Sequence, residues 1–274
     1  MRLRKRPSPQ PVAFEAYGVA VQVAIDDPTL EANVEQILPP SRVTCDPSTV
    51  TGHFSLLASE PDGYTVTGAG ATWIARAELD VALGVLDAQI RMFVAENARD
   101  LIFVHAGAVA RGGKALLIPG ESFSGKTTLV AALVQAGATY YSDEYAVLDA
   151  EGKVHPYARA LSIRNGGRAA QERSVVELGG VAGDQSAEVS TVVVTRYRAG
   201  ASWLPKRLSS GEGVLALLAN TIPAQERPRE SLHALSHAVR GATILEGDRG
   251  EARDLAATLL EQLASQPEAE QHRD

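Results

Sequence analysis

The sequence predicts an α/β fold, a mixed sheet with flanking helices, preceded by a small N-terminal α+β portion. Three observations carry this. Apolar, β-branched runs recur as strands at Leu101 to Ala110, Lys114 to Pro119 and Val189 to Tyr197. Segments with apolar residues at helical spacing alternate with them. The run Lys114 to Pro119 also passes through a Gly-rich loop straight into a helical pattern, the strand–loop–helix unit of α/β folds.

The elements follow in order. Val12 to Asp26 is rich in Val, Ala and aromatics and reads as a strand or hairpin turning at Gly18. Thr29 to Leu38 reads as a short helix stopped by Pro39 and Pro40. His53 to Ala58 and Tyr64 to Thr67 are strands around the turn Glu60-Pro61-Asp62-Gly63. In Glu78 to Ala98, Leu79, Ala82, Leu83, Leu86, Ile90, Phe93 and Val94 mark one helical face. Gly112-Gly113 joins the next two strands as a hairpin. Lys126 to Ala136 is a helix capped by Gly137. Thr139 to Tyr141 and Ala146 to Leu148 read as strands, and Ala169 to Ser190 as a Gly-rich, charged loop. Ser209 to Asn220, Glu230 to Val239 and Gly250 to Ala264 read as helices, and Thr243 to Leu245 as an edge strand.

These elements divide the chain into a disordered basic arm (1–11), an N-terminal α+β portion (12–100), an α/β portion that carries the Gly-rich loop (101–265) and a disordered tail (266–274). At 274 residues, 45% hydrophobic and 22% charged, the chain is long enough to bury a proper core. Aromatics are only 5%, so that core rests on Ala, Val, Leu and Ile. The net charge of -7 gives no general attraction for nucleic acid, and no nucleic-acid partner is expected. Cys45 is the only cysteine, which excludes an intrachain disulfide and a cysteine-built zinc site. No apolar run follows the basic start, and none approaches the ~20 residues that span a bilayer. The second residue is Arg2, and the chain ends without a prenylation box. A cytoplasmic protein with no membrane partner is expected.

Gly120-Glu121-Ser122-Phe123-Ser124-Gly125-Lys126-Thr127 matches G-x-x-x-x-G-K-[ST], the P-loop or Walker A pattern, in full. Glycines allow the tight turn that brings backbone N–H groups onto phosphate oxygens. The helix that opens here adds its N-terminal partial positive charge. Lys126 supplies a point charge for the β- and γ-phosphates, and the Thr127 hydroxyl is a hard ligand suited to Mg²⁺. Thr128 continues the candidate phosphate-binding set. A chain of this length matches the pattern by chance about once in a hundred. The flanking apolar strand (Leu116, Leu117, Ile118) and helix (Leu129, Val130, Leu133, Val134) supply the context it needs.

Asp143 and Glu144 follow a predicted strand one helix after this loop. An arbitrary Asp-Glu pair is most often a solvated turn. At this position a carboxylate can hold Mg²⁺ or accept the proton of an attacking hydroxyl. His105 lies in the apolar strand Val104-His105-Ala106, where spacing alone favours a satisfied core histidine.

The order Val104-His105-Ala106-Gly107-Ala108-Val109, then the P-loop, then Gly137-Ala138 and Asp143-Glu144 resembles the catalytic domain of HPr kinase/phosphorylase over roughly Leu101 to Arg164. The resemblance implies the nucleotide-binding core shared with phosphoenolpyruvate carboxykinase. It implies an ATP- and Mg²⁺-dependent kinase that phosphorylates a serine-type hydroxyl. It places His105 on the active-site histidine and Lys126 and Thr127 on the phosphate and Mg²⁺ residues. Asp143 falls on the catalytic acid/base, Glu144 on the second metal-associated carboxylate, and Arg164 on a phosphate contact. It also implies assembly into homo-oligomers. The chain differs from the family at Phe123, where glycine is usual, at Gly107 in place of serine, and at Glu144 in place of aspartate. Its N-terminal portion does not resemble the family's own. The acceptor therefore stays open between protein, peptide and small-molecule hydroxyls. Two further readings remain: a nucleotide-binding regulatory or assembly module, and an ATPase driving a partner. The apolar run before Asp143 (Thr139, Tyr140, Tyr141) is a poor match to the strand of standard motor ATPases.

Overall fold

A computed structural model describes residues 10–59, 62–121, 124–163 and 171–265. The chain divides into two compact units, Met1–Asp100 and Leu101–Asp274.

In the first unit, β1 (Gln10–Ala16) and β2 (Val19–Ile25) form an antiparallel hairpin turned by Tyr17 and Gly18, both at positive φ. Pro11, assigned to the arm, lies inside β1 and pairs with Ala24. A 3₁₀ turn leads into α1 (Glu31–Ile37), followed by β3 (Val43–Thr44), β4 (Gly52–Ala58), β5 (Tyr64–Gly68), β6 (Ala71–Ala77) and α2 (Leu79–Asn97). The six strands form one sheet in the order β3-β1-β2-β4-β5-β6. The β2–β4 pair is parallel, because the α1 segment crosses between them. Helix α2 buries Ala82, Leu83, Leu86, Ile90, Val94 and Ala95, the face that the helical spacing marks. Phe93 meets Phe54 of β4 edge-on, with centroids 5.7 Å apart.

The second unit opens with the hairpin of β7 (Ile102–Arg111) and β8 (Lys114–Pro119), turned by Gly112 and Gly113 at positive φ. Next come α3 (Lys126–Gln135), β9 (Thr139–Ser142), β10 (Tyr145–Leu148), β11 (Lys153–His155), β12 (Leu161–Ile163), β13 (Gln171–Arg173) and β14 (Ala187–Tyr197). The chain ends with β15 (Lys206–Arg207), α4 (Ser210–Leu218), α5 (Pro228–Ala238), β16 (Thr243–Arg249) and α6 (Ala252–Ser265). The main sheet runs β11-β10-β7-β8-β14-β16-β15, with β9 also paired to β7. It is mixed: β8, β14 and β16 are mutually parallel, and the remaining pairs are antiparallel.

Side-chain alternation gives this sheet two apolar faces. Ala106, Ala108, Ala110, Leu117, Val192 and Ile244 pack with Leu217 of α4 and Leu235 of α5. Val109, Leu116, Ile118 and Val193 pack with Leu129 and Leu133 of α3 and Leu255 and Leu259 of α6. The result is a three-layer α/β/α arrangement, held by side chains whose complete burial contributes about 1.5–3 kcal/mol each. Strand β16 departs from the sequence reading. It extends to Arg249 and lies between β14 and β15, not at the edge. Its polar C-terminal half, Glu246-Gly247-Asp248-Arg249, hides strand character that tertiary pairing restores.

Among the described residues, no helix is long and apolar enough to cross a membrane.

Candidate functional site

The site grows from the ends of neighbouring strands. β8 ends at Pro119, and α3 begins at Lys126 after Gly125, which adopts the left-handed conformation (φ 88°). Ser122 and Phe123 of the motif, and Arg164 downstream, lie outside the described residues. Lys126 is only 7% exposed, and its Nζ donates to the carbonyls of Gly120 (2.7 Å) and Glu121 (2.8 Å). Burial pushes its pKa down, while Glu144, Asp143 and Glu121 pull it up. The ammonium is thus held on the loop's own carbonyls, within the electrostatic reach of the acidic pair. Ser124 donates its backbone N–H to the Glu121 carbonyl. Thr128 is exposed on the first turn of α3, and Glu121 is exposed at the loop.

The acidic pair sits on the tight turn between β9 and β10. The Ser142 hydroxyl accepts the N–H groups of Glu144 (3.0 Å) and Tyr145 (2.9 Å) and so fixes that turn. Pairing of Ser142 with Ala108 and of Tyr145 with His105 anchors it to the middle of β7. Asp143 is buried (8% exposed) and bridges two elements. Its Oδ2 accepts the Thr127 hydroxyl at 2.9 Å, and its Oδ1 accepts the Tyr140 hydroxyl at 2.8 Å. Burial pushes the Asp143 carboxyl up from its ordinary range, and the hydrogen bonds from Tyr140 and Thr127 oppose that rise. The Tyr140 phenol is pushed up as well, first by burial and then by the Asp143 charge.

His105 stands on β7 between the loop and the acidic turn. Its carbonyl accepts the Gly120 N–H at 3.4 Å, and its Nε2 lies 3.9 Å from Oε1 of Glu144. Lys126, Thr127, Asp143, Glu144 and His105 therefore come from separate stretches of sequence into one cluster. The close approach of α3 to β7 behind it depends on Gly107, where an added Cβ would come 2.6 Å from Cγ2 of Val130.

Two residues were not legible as site components. Tyr140 looked like a misfit in an apolar run, yet its hydroxyl is what reaches Asp143. Arg249 lay beyond the expected end of its strand. The structure buries it to 2% exposure, with Nη2 donating 2.9 Å to the Gly125 carbonyl.

The donor set suits a hard cation. The Thr127 hydroxyl and the Asp143 and Glu144 carboxylates are oxygen ligands of the kind Mg²⁺ takes alongside phosphate oxygens. Among the described residues, no group of three or more His, Cys, Asp or Glu converges on a metal position. Mg²⁺ typically keeps one or two carboxylates and shares the rest with substrate and water.

The fold is mixed α/β, and the site is a cluster of basic, hydroxyl and acidic side chains beside a Gly-rich strand-to-helix connection. No family model matches the sequence. No curated protein matches it either. Among solved structures the chain is similar to the Hpr(Ser) kinase/phosphatase from Coxiella burnetii. The likeness runs at 16% identity over 59% of this chain and 93% of that one, with a TM-score of 0.32.

Proposed function

We propose that the chain is an ATP- and Mg²⁺-dependent kinase that transfers the γ-phosphate to a hydroxyl, of the serine type, on a protein, peptide or small molecule. The observation that carries this reading is the 2.9 Å hydrogen bond from Thr127 to Asp143. It brings the last residue of the Gly-rich motif against a buried carboxylate, with the Lys126 cation on the same loop.

In this reading the backbone N–H groups at the start of α3, together with Lys126, bind the phosphates. The cation now held on the Gly120 and Glu121 carbonyls turns to phosphate oxygens, which are stronger acceptors because they are charged. Mg²⁺, held by Thr127, Asp143 and Glu144, would neutralise phosphate charge. Asp143 takes the proton of the acceptor hydroxyl. Its burial raises its proton affinity, and the Tyr140 hydrogen bond fixes its orientation. His105, beside Glu144, faces the same space and orients the acidic turn or the acceptor. Transfer of this kind depends on positioning and electrostatics.

The test is incubation of the purified protein with γ-labelled ATP, Mg²⁺ and host extract, beside Lys126→Ala. A labelled acceptor that disappears in the variant supports the kinase. Labelled free phosphate without an acceptor supports an ATPase, and bound but intact ATP supports a nucleotide-binding module.

A further inference from the structure

Arg249 presents an arrangement that the proposed transfer chemistry does not use. It closes β16, in register with Tyr197 at the end of β14, and both strands run parallel to β8. All three strands therefore end on the side where the Gly-rich loop begins, the usual location of ligands in parallel α/β sheets. The guanidinium is buried, and Nη2 donates to the Gly125 carbonyl at 2.9 Å. Nη1 donates to the Gly250 carbonyl at 3.1 Å, and Nε is buried with no hydrogen-bond partner. The Tyr197 ring lies 5.4 Å below the guanidinium carbon. Among the described residues, no carboxylate lies within ion-pair distance. Glu251 acts on Arg249 electrostatically, but its Oε1 accepts the Tyr197 hydroxyl instead.

An arginine stays charged in a protein interior, and a buried charge without a counter-ion is costly. A chain that places one directly against the carbonyl of the left-handed glycine opening α3 has a reason to keep it. The carbonyl already accepts the Leu129 N–H, so the helix does not need the arginine for that bond. An anion beside the loop would balance the charge.

We propose that Arg249 is a positioning residue for polyphosphate: it fixes Gly125 and so the start of α3, and its buried charge is balanced when phosphate groups occupy the segment Gly125–Thr127 that opens this helix. This rests on the phosphate-binding reading of that segment. Arg249 touches the loop backbone and acts through it, so it is not a catalytic residue.

The experiment is calorimetric binding of inorganic triphosphate and MgADP to the full chain, with the thermal midpoint of each free protein. Wild type is compared with Lys126→Ala, Arg249→Gln, Arg249→Lys and Glu251→Gln. Arg249→Gln is expected to weaken triphosphate at least tenfold without lowering the free protein's midpoint. Arg249→Lys, which keeps the charge, is expected to lose less. Glu251 is exposed, so its substitution tests the charge balance without threatening the fold. It is expected to tighten triphosphate two- to threefold, beyond any gain from Glu230→Gln, which removes the same charge from α5. Wild-type affinity in Arg249→Gln, with Lys126→Ala abolishing binding, overturns the proposal and leaves the phosphate-binding reading intact. If Arg249→Gln does not fold, Glu251→Gln decides alone, and no gain over Glu230→Gln overturns it. Absence of binding by wild type overturns both.

Discussion

The Tyr140 hydroxyl donates a 2.8 Å hydrogen bond to Oδ1 of Asp143, and both side chains are buried. Tyr140 thus occupies one carboxylate oxygen while Thr127 occupies the other. Tyr140→Phe removes the donor and leaves the ring's packing. A hydrogen bond to a charged group is worth about 1.5–3 kcal/mol, so phosphate transfer is expected to fall about tenfold or more. The pH dependence has a definite sign. The lost bond favoured the ionised carboxylate, so Asp143 binds its proton more tightly in the variant. The acid limb of the transfer rate therefore moves to higher pH. An unmoved limb would show that Tyr140 serves packing alone.

Asp143→Asn keeps the shape of the site but cannot take up the acceptor's proton. Nucleotide binding is expected to persist while transfer falls roughly 10²–10⁴-fold. Near-normal transfer would remove Asp143 from the base role.

The same substitution has a consequence for the free protein. Asp143 is pushed above its ordinary range, chiefly by burial. A group with a raised folded-state pKa contributes stability below its unfolded value, and that stability is lost as pH rises through the folded value. Above that folded value the ionised Asp143 therefore burdens the folded state. Asp143→Asn is expected to raise the thermal midpoint at pH 7, with the gain shrinking toward pH 4. A midpoint that falls at pH 7 would mean that the two hydrogen bonds outweigh the desolvation.

Much of the fold was legible because its elements obey simple periodicities. The unbroken apolar runs of β7 and β8 mark strands buried on both faces, the helical spacing in α2 marks one buried face, and the glycine turns join the strands where expected. The Lys126, Thr127 and Asp143 cluster was legible for a different reason. The proposed phosphate chemistry needs particular residue types at particular spacings, and such spacings survive in a string of letters. Tyr140 and Arg249 were not legible, because their roles depend on burial and partners far away in sequence. A tyrosine in a strand looks like a packing residue until its hydroxyl is seen on a carboxylate. Arg249 reaches Gly125 only because β16 lies two strands from β8, an arrangement set by the crossovers.

Gly107 offers a test of how the helix behind the site is seated. A Cβ there would come 2.6 Å from Cγ2 of Val130, whose Leu129 and Leu133 neighbours are fully buried on α3. The helix cannot retreat without losing that packing, so Gly107→Ser is expected to cost about 1–3 kcal/mol by denaturant unfolding. It should also weaken nucleotide binding, since Lys126 and Thr127 ride on the same helix. Val130→Ala removes the clashing methyls at its own cavity cost. In the double variant the serine finds room, so the two changes should be less damaging together than their sum, a coupling of about 0.5–3 kcal/mol. Strict additivity would mean that α3 shifts freely on β7, and that the glycine is not what fixes the distance between the Lys126 helix and the His105 strand.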